Sequence, residues 1–205
     1  MITSRVVSSV SLLVCAASVG LAVAACGSGS RDSAASSSSV TDLFMPPGAG
    51  TAAGCPSTPP ADGGTADWTV KGATGSLAVT GSTDTAAPSV VVTGPFSVTQ
   101  TQVHTLHAGD GPVVGDNATV SVCYMGVNGR DGSVFDSSYQ RGQPVDFGLG
   151  QVVPGFQKAI AGQHVGSTVA VAMVPADGYP QGQPRAGIRP GDTLVFAIKI
   201  LTASS

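Results

Sequence analysis

Histidines and aspartates are the residues of this sequence that could supply acid–base or metal chemistry. His104, His107 and His164 lack the mutual spacing of a metal-binding set, and the first two lie in a segment that we expect to be a solvated edge strand. Asp131 and Asp136 could be read as paired carboxylates. The turn signal that begins at Asp131 accounts for that residue without chemistry.

Nucleophilic and phosphate-binding motifs are also missing from the sequence. There is no nucleophile elbow, and the Gly148–Gly150 stretch is too short for a phosphate loop and precedes no obvious phosphate-binding helix. We therefore expect neither bond-breaking chemistry nor a cofactor or metal.

The aromatic side chains are placed in a way that could form a binding surface. The chain has ten of them, and five fall at the ends of the inferred secondary-structure elements. These five are Tyr124, Phe135, Phe156, Tyr179 and Phe196. Each alone is compatible with an ordinary hydrophobic core, but together they would line an apolar concavity if a helix packed across the sheet.

The composition of the 205-residue chain favours β structure. Charged residues make up 10% of it, Glu is absent, and there are 28 Gly and 14 Pro, so helix formers are few and turn formers many. The net charge is −3, which gives no reason to expect nucleic-acid binding. Nothing in the sequence indicates a homo-oligomer, and we expect a monomer.

Hydrophobic periodicity predicts an antiparallel sheet with one short helix. Apolar side chains alternate in 119–125, in 169–173 and in 194–200, as they do in half-buried strands. The credible helix runs from Pro154 to about Gln163, with proline in its first turn. We therefore expect an α+β domain.

The N-terminus has the layout of an export signal. Arg5 precedes a run of apolar and small residues from Val6 to Ala25. The run ends Val-Ala-Ala-Cys, which resembles the lipobox of bacterial lipoproteins and implies lipidation of Cys26, a membrane anchor and an extracytoplasmic location. A transmembrane helix, or a signal without lipidation, is the alternative.

Composition divides the chain into four parts. We expect a signal peptide with its lipobox in 1–25 and a flexible tether in 26–67, which is rich in Ser, Ala, Gly and Pro. An N-terminal strand extension is expected in 68–95, and the main domain in 96–205.

Five blocks of sequence resemble the FKBP-type peptidyl-prolyl cis-trans isomerases, in that family's order and spacing over about half the chain. The blocks read VCYMG from Val122, VFDSS from Val134, PVDFGLG from Pro144, QVVPGF from Gln151 and TLVF from Thr193. The resemblance implies a five- to six-stranded antiparallel sheet wrapped around one short helix. It also implies catalysis of cis–trans isomerisation at X–Pro bonds.

The resemblance further implies the residues of a proline-binding pocket. Tyr124 and Phe135 would form one wall, with Asp136 as their polar partner. The backbone N–H of Val153 would hold a substrate carbonyl, and the Tyr179 hydroxyl would donate a hydrogen bond. The other implied pocket residues are Val152 before the helix, Phe156 at the floor, Ile188 in the flap and Phe196 at the back.

Four positions depart from the family pattern. Phe156 is smaller than the tryptophan of many members, and Val145 replaces a common aromatic residue at the rim. Pro180 follows Tyr179 and restricts its backbone, and Arg189 replaces a frequent proline in the flap. These differences bear on macrolide affinity more than on the basic activity.

We therefore expect a membrane-tethered isomerase that assists the folding of exported proteins. Its partners would be proline-containing polypeptides, and the family's macrolide inhibitors are further candidate ligands. The reaction needs no acid, base or nucleophile, in agreement with their absence. The alternative is a non-catalytic FKBP-like module, a holdase or docking domain, which the altered floor and flap favour.

Two cysteines remain after the leader and the lipobox. Cys55 lies near the end of the tether, and Cys123 lies on the strand face opposite Tyr124. An exported chain can keep a disulfide, and a bond between them would pin the extension to the outer face of the sheet. The alternative is a free Cys123 packed under that extension.

Overall fold

The computed structural model describes residues 54–60 and 64–204. The expected signal peptide 1–25, the expected lipidation site Cys26, and tether residues up to 53 and 61–63 lie outside these residues. Within the described ranges, no helix is both long enough and apolar enough to cross a membrane.

The N-terminal extension folds as a three-stranded antiparallel sheet. Its strands, in spatial order, are β1 (Trp68–Lys71), β2 (Thr74–Thr80) and β3 (Ser89–Ser97). Strand β3 therefore runs two residues past the boundary expected at 95.

The main sheet has six antiparallel strands. They are β4 (Gln102–His107), β5 (Thr119–Asn128), β6 (Val134–Ser137), β7 (Val145–Gly148), β8 (Thr168–Met173) and β9 (Leu194–Ser204). The order is β4-β8-β9-β5-β6, and β7 pairs with the first half of β5. Two helices accompany it, α1 (Ser138–Arg141) and α2 (Pro154–Ile160). The predicted α+β fold, an antiparallel sheet around one short helix, is confirmed, and α1 is a single additional turn.

Helix α2 lies across the concave face of the main sheet. It buries Phe156, Ala159 and Ile160, which is the predicted apolar stripe. The expected end at Gln163 is wrong, because Ala161 leaves the helical region at ψ 132° and Gly162 reverses the chain at φ 79°.

The three-stranded sheet covers the opposite, convex face of the main sheet. That face presents small apolar side chains from β8 and β9, such as Ala170, Ala172 and Ala197, all with 0% exposure. Leu77 and Phe96 pack on them. The main sheet is therefore buried on both sides, and the extension supplies one of its two hydrophobic layers.

The edge strand β4 is irregular and in contact with the extension. A register shift between Thr105 and His107 accounts for the loose spacing of its apolar residues. The expectation that His104 is simply solvated is wrong in part, because one face of its exposed ring stacks on Trp68 at a centroid distance of 5.5 Å. Among the described residues, no cluster of His, Cys or Asp could hold a metal ion.

Cys55 and Cys123 form a disulfide. It lies in a small buried cluster with Ala87 and Tyr139, and the Tyr139 hydroxyl donates a 2.8 Å hydrogen bond to Ser82. Of the two alternatives for these cysteines, the structure therefore contains the covalent bond.

Candidate active site

A cavity of about 390 Å³ opens between the concave face of the main sheet and helix α2. Most of its walls are apolar, and several predicted residues contribute to them. The lining residues are Tyr124, Phe135, Asp136, Phe147, Gln151, Val152, Val153, Phe156, Tyr179 and Phe196. Eight of the nine predicted pocket residues therefore lie around one space.

The aromatic rings of the cavity pack edge to face. Phe196 contacts Phe135 at a centroid distance of 5.5 Å and Phe156 at 5.3 Å, with interplanar angles of 87° and 84°. Tyr124 meets the edge of Phe156 at 6.0 Å. Such edge-to-face pairs are favourable beyond the area they bury, so each ring holds its neighbour in place around the cavity.

Gly126 makes this packing possible. An added Cβ at this position would lie 2.7 Å from the Phe135 ring and 2.9 Å from the Phe196 ring. Glycine is thus the residue type that lets both rings approach strand β5, which explains its place at the end of the VCYMG block.

One wall of the cavity carries a polar triad. The Tyr124 hydroxyl donates a hydrogen bond to Asp136, and Arg141 at the end of α1 donates 2.6 Å and 3.2 Å bonds to Asp136 and to the Tyr124 oxygen. Asp136 is therefore the hydrogen-bond partner that orients Tyr124, in agreement with the polar partner that the resemblance implied. Sequence reasoning missed Arg141, which reaches the site because α1 folds back beside β5.

The triad fixes the protonation states of its members. Burial raises the pKa of Tyr124 to about 12, and the hydrogen bond to Asp136 adds to the effect. Burial also acts to raise the pKa of Asp136, but the bonds from Tyr124 and Arg141 outweigh it and lower that pKa below 3.8. Near neutral pH, the wall therefore presents a neutral phenol held by a charged carboxylate.

Val153 stands at the start of α2, beside the cavity. Its backbone is extended, at φ −60° and ψ 144°, and Pro154 begins the helix. Its carbonyl accepts hydrogen bonds from Phe156 and Gln157, whereas its N–H is bonded to no described residue. A backbone donor is therefore free at the cavity edge.

Tyr179 also lines the cavity and follows a short turn. A 3₁₀ turn at Pro175–Asp177 precedes it, and its carbonyl accepts a 2.8 Å hydrogen bond from Gly182. Its side chain is half-buried. Pro180 after it is compatible with this position at the cavity wall.

Ile188 is the predicted pocket residue that the structure does not place in the lining. It is 2% exposed and packs in the main core, because the flap 182–191 folds back through paired hydrogen bonds between Gln183 and Ile188. Its side chain therefore anchors the flap in the main core.

Two lining residues, Phe147 and Gln151, were missed by sequence reasoning. Phe147 pairs with Val120 in the β5–β7 register, and its ring lies 5.6 Å from that of Phe156. The signal was present, since both residues belong to the blocks that carried the resemblance.

Comparisons with known proteins agree with this geometry. The family model for FKBP-type peptidyl-prolyl cis-trans isomerase matches residues 111–201. The chain is 40% identical over 96 residues to FK506-binding protein 1 of Dictyostelium discoideum, a match that covers 46% of this chain and 87% of that protein. The chain belongs to the FKBP-type peptidyl-prolyl cis-trans isomerases.

Other FKBP-type proteins are matched over a smaller share of their length. A probable FKBP-type isomerase of Haemophilus influenzae is 37% identical over 94 residues, which make up 46% of this chain and 39% of that protein. The crystal structure of an isomerase from Pseudomonas syringae has 29% identity and a TM-score of 0.47, covering 51% of this chain and 76% of that one. The three-stranded sheet, β4 and Cys55 precede the residues matched by the FKBP model.

Proposed function

We propose that this FKBP-type protein accelerates the isomerisation of X–Pro bonds in exported polypeptides, with the proline ring bound in the aromatic cavity. The observation that carries the proposal is the cavity itself, which combines an apolar lining with hydrogen-bond donors on its walls. The family relationship supports the reaction, and the site residues are part of the proposal.

The reaction depends on lowering the energy of a twisted amide. The uncatalysed barrier is about 18–20 kcal/mol because conjugation between the nitrogen and the carbonyl is lost. The twisted amide has less charge separation than the planar one, so a cavity that excludes water favours it relative to solution. Tyr124, Phe135, Phe156 and Phe196 supply that environment.

Hydrogen bonds would hold the flanking peptide while the bond rotates. Val153 and Tyr179 both line the cavity, and in this proposal the Val153 N–H and the Tyr179 hydroxyl would each bind a substrate carbonyl. Fixing both neighbours of the rotating bond converts binding energy into a preference for the transition state.

Exchange spectroscopy by NMR on a short X–Pro peptide tests the proposal, using the full chain in mild detergent. We expect acceleration by the wild type and, because one hydrogen bond is lost, a two- to tenfold decrease, on the order expected of a neutral bond, in Tyr179→Phe. Phe135→Ala should lose more, since it opens the wall. Tyr139→Phe is the matched control, because that hydroxyl lies in the disulfide cluster.

Two results would count against an isomerase of this kind. One is a folded wild type that binds the peptide without accelerating exchange, which would favour the non-catalytic module. The other is equal loss in Tyr179→Phe and Tyr139→Phe.

We propose further that the chain is exported and anchored through a lipid on Cys26. The apolar run before that cysteine supports it, and so does the Cys55–Cys123 disulfide, since disulfides persist in oxidising compartments. The isomerase would then act on secreted chains, whose folding proline isomerisation delays by tens of seconds.

Mass spectrometry of the protein purified from membranes tests the anchor. We expect a mature N-terminus at Cys26 that carries diacylglycerol. The Cys26→Ala variant should lack this lipid. An intact leader, or a cleaved N-terminus elsewhere, would contradict the proposal.

A further inference from the structure

We propose that Asp177 is a positioning residue for the isomerase reaction, holding the turn that carries Tyr179 against helix α2. The inference rests on the proposed function, because it assigns work to the Tyr179 hydroxyl. Asp177 does not line the cavity, so its effect would pass through the groups it binds.

The first contact joins the turn to the helix. Asp177 is the last residue of the 3₁₀ turn and stands two positions before Tyr179. Both of its carboxylate oxygens accept 2.8 Å hydrogen bonds from the Lys158 ammonium. Lys158 stands two positions after Phe156 on α2, so one ion pair spans the two elements that flank the cavity.

The second contact adds a third element. The Thr101 hydroxyl, from the connection between β3 and β4, donates a 2.5 Å hydrogen bond to Asp177. The Thr101 hydroxyl oxygen in turn accepts a 3.2 Å hydrogen bond from the backbone N–H of Val174. The turn is thus held at Val174, directly before it, and at its last residue, Asp177.

The carboxylate is suited to this task by its surroundings. Its side chain is 19% exposed, against 55% for Lys158, so the pair is anchored on the aspartate side. The bond from Lys158, followed by that from Thr101, lowers the pKa of Asp177 below 3.8. The group is therefore charged near neutral pH.

The geometry has a direct consequence for catalysis. The Val153 donor directly precedes helix α2, and Tyr179 follows the last residue of the turn by two positions. The Asp177–Lys158 pair therefore fixes the separation of the two groups that would hold the substrate on either side of the rotating bond. Small losses of such alignment reduce rates steeply.

A double-mutant cycle on the full chain tests the proposal, with kcat/KM on an X–Pro peptide as the readout. We expect Asp177→Asn to lower kcat/KM by roughly tenfold in the wild type. In a Tyr179→Phe background we expect the same change to cost less than about twofold, because both variants remove one function. A merely structural role would cost the same in both backgrounds.

Lys158→Met gives an independent arm that cannot be confused with unfolding, since the lysine is largely exposed. We expect a loss similar to that of Asp177→Asn and recovery in Lys158→Arg, which keeps the charge. Lys71→Met is the matched control, because Lys71 is an exposed lysine of the extension with no ion pair to a described residue.

Wild-type turnover is measured first, so that failure of the proposed function is seen separately. With turnover present, additive losses for Asp177 and Tyr179 overturn the inference. An unchanged kcat/KM in Lys158→Met, or in Tyr179→Phe, also overturns it.

Discussion

Tyr124, Asp136 and Arg141 form the polar part of a cavity that is otherwise apolar. The carboxylate accepts from both neighbours, and its side chain is 42% exposed. Solvent therefore screens the interaction, and the main effect of Asp136 is to fix the orientation of the phenol rather than to stabilise the fold.

The first prediction concerns the acid limb of the pH profile. The folded-state pKa of Asp136 is lowered. The stabilising charge of this carboxylate is therefore fully present above its ordinary pKa, and it is lost as the pH falls through the lower, folded-state pKa. Activity should therefore stay level from neutral pH to near 3.8 and decline below it. With Tyr124 raised to about 12, no alkaline loss from this phenol is expected at pH 10.

Peptide exchange rates between acid and alkaline pH check this, alongside circular dichroism to exclude unfolding. Asp136→Asn should lower activity at neutral pH and flatten the acid limb. If the decline of activity in acid is unchanged in Asp136→Asn, a group other than Asp136 causes that decline.

A second prediction concerns Gly126. A methyl group there would press on Phe135 and Phe196, and overpacking of this kind costs about 1–3 kcal/mol. We expect Gly126→Ala to lower the free energy of unfolding by that amount and to reduce kcat/KM more than stability alone explains. Denaturant unfolding and peptide exchange measure the two effects.

Gly115→Ala is the control, since an added Cβ there meets nothing within 4 Å. It should leave both quantities unchanged. Equal behaviour of the two variants would mean that the rings move aside without cost.

Residue identities in the cavity were largely predictable, whereas their partners were not. Tyr124, Phe135, Phe156 and Phe196 stand in recognisable blocks, and each lines the cavity. Arg141 bonds to Tyr124, 17 residues away, and Lys158 to Asp177, 19 residues away, and no local pattern encodes such pairing. Ile188 is not among the lining residues, and its burial in the main core depends on how the flap folds back.

At the scale of elements, the flap depends on one buried carboxylate. Asp192 has a side-chain exposure of 6% and accepts from the Asn128 amide at 2.7 Å and from the Arg189 backbone at 2.9 Å. Arg130 reaches both Asp192 and the carbonyl of Gly187. The flap and the β5–β6 turn are therefore joined through this residue.

A third prediction follows for Asp192→Ala. Leaving buried donors without an acceptor costs about 1–3 kcal/mol. The free energy of unfolding should therefore fall by that amount, and thermal unfolding should occur at a lower temperature. Burial acts to raise the pKa of Asp192, but its hydrogen bonds prevail and lower it. The contribution of the charged Asp192 to stability is therefore fully present above the ordinary pKa of an aspartate, and it is lost as the pH falls through the lower, folded-state pKa.

Asp131→Ala is the comparison, because that carboxylate also binds Arg130 but is 41% exposed. It should change stability by less than about 1 kcal/mol. Similar losses in both variants would show that the network, rather than its buried member, is what matters.

The three-stranded sheet gives a fourth prediction. Val79 on β2 is 0% exposed and Val91 on β3 is 54% exposed. Val79→Ala should lower the free energy of unfolding by about 2–3 kcal/mol through lost burial and a cavity. Val91→Ala should change it by less than about 0.5 kcal/mol, and chemical denaturation compares them.

Equal effects of the two substitutions would indicate that the sheet is not firmly packed on the main domain. The sequence predicted a strand extension in this part of the chain, but not a three-stranded layer. The layer packs on the alanines of β8 and β9. Alanine is common on both buried and exposed faces, so these residues did not predict from sequence alone that this face of the sheet is covered.

For the whole molecule, the disulfide closes a loop across a sequence separation of 68 residues. A loop of that length restricts the unfolded chain by about 4 kcal/mol in the entropic account. As the fifth prediction, Cys55→Ser/Cys123→Ser should therefore lower the melting temperature strongly. Calorimetry checks it, with Ser137→Ala as a single buried substitution that leaves the bond intact.

The same bond decides how mechanical load enters the molecule. A pull on the chain ahead of Gly54 arrives at Cys55 and crosses directly to Cys123 on β5, so residues 56–122 lie in a bypassed loop. Strand β5 is paired with β6, β7 and β9. Tyr124, which lines the cavity, directly follows Cys123 on this strand. If the chain is anchored as proposed, tension between the anchor and a polypeptide in the cavity would run through β5, which pairs with three strands, and the three-stranded sheet would bear none of it.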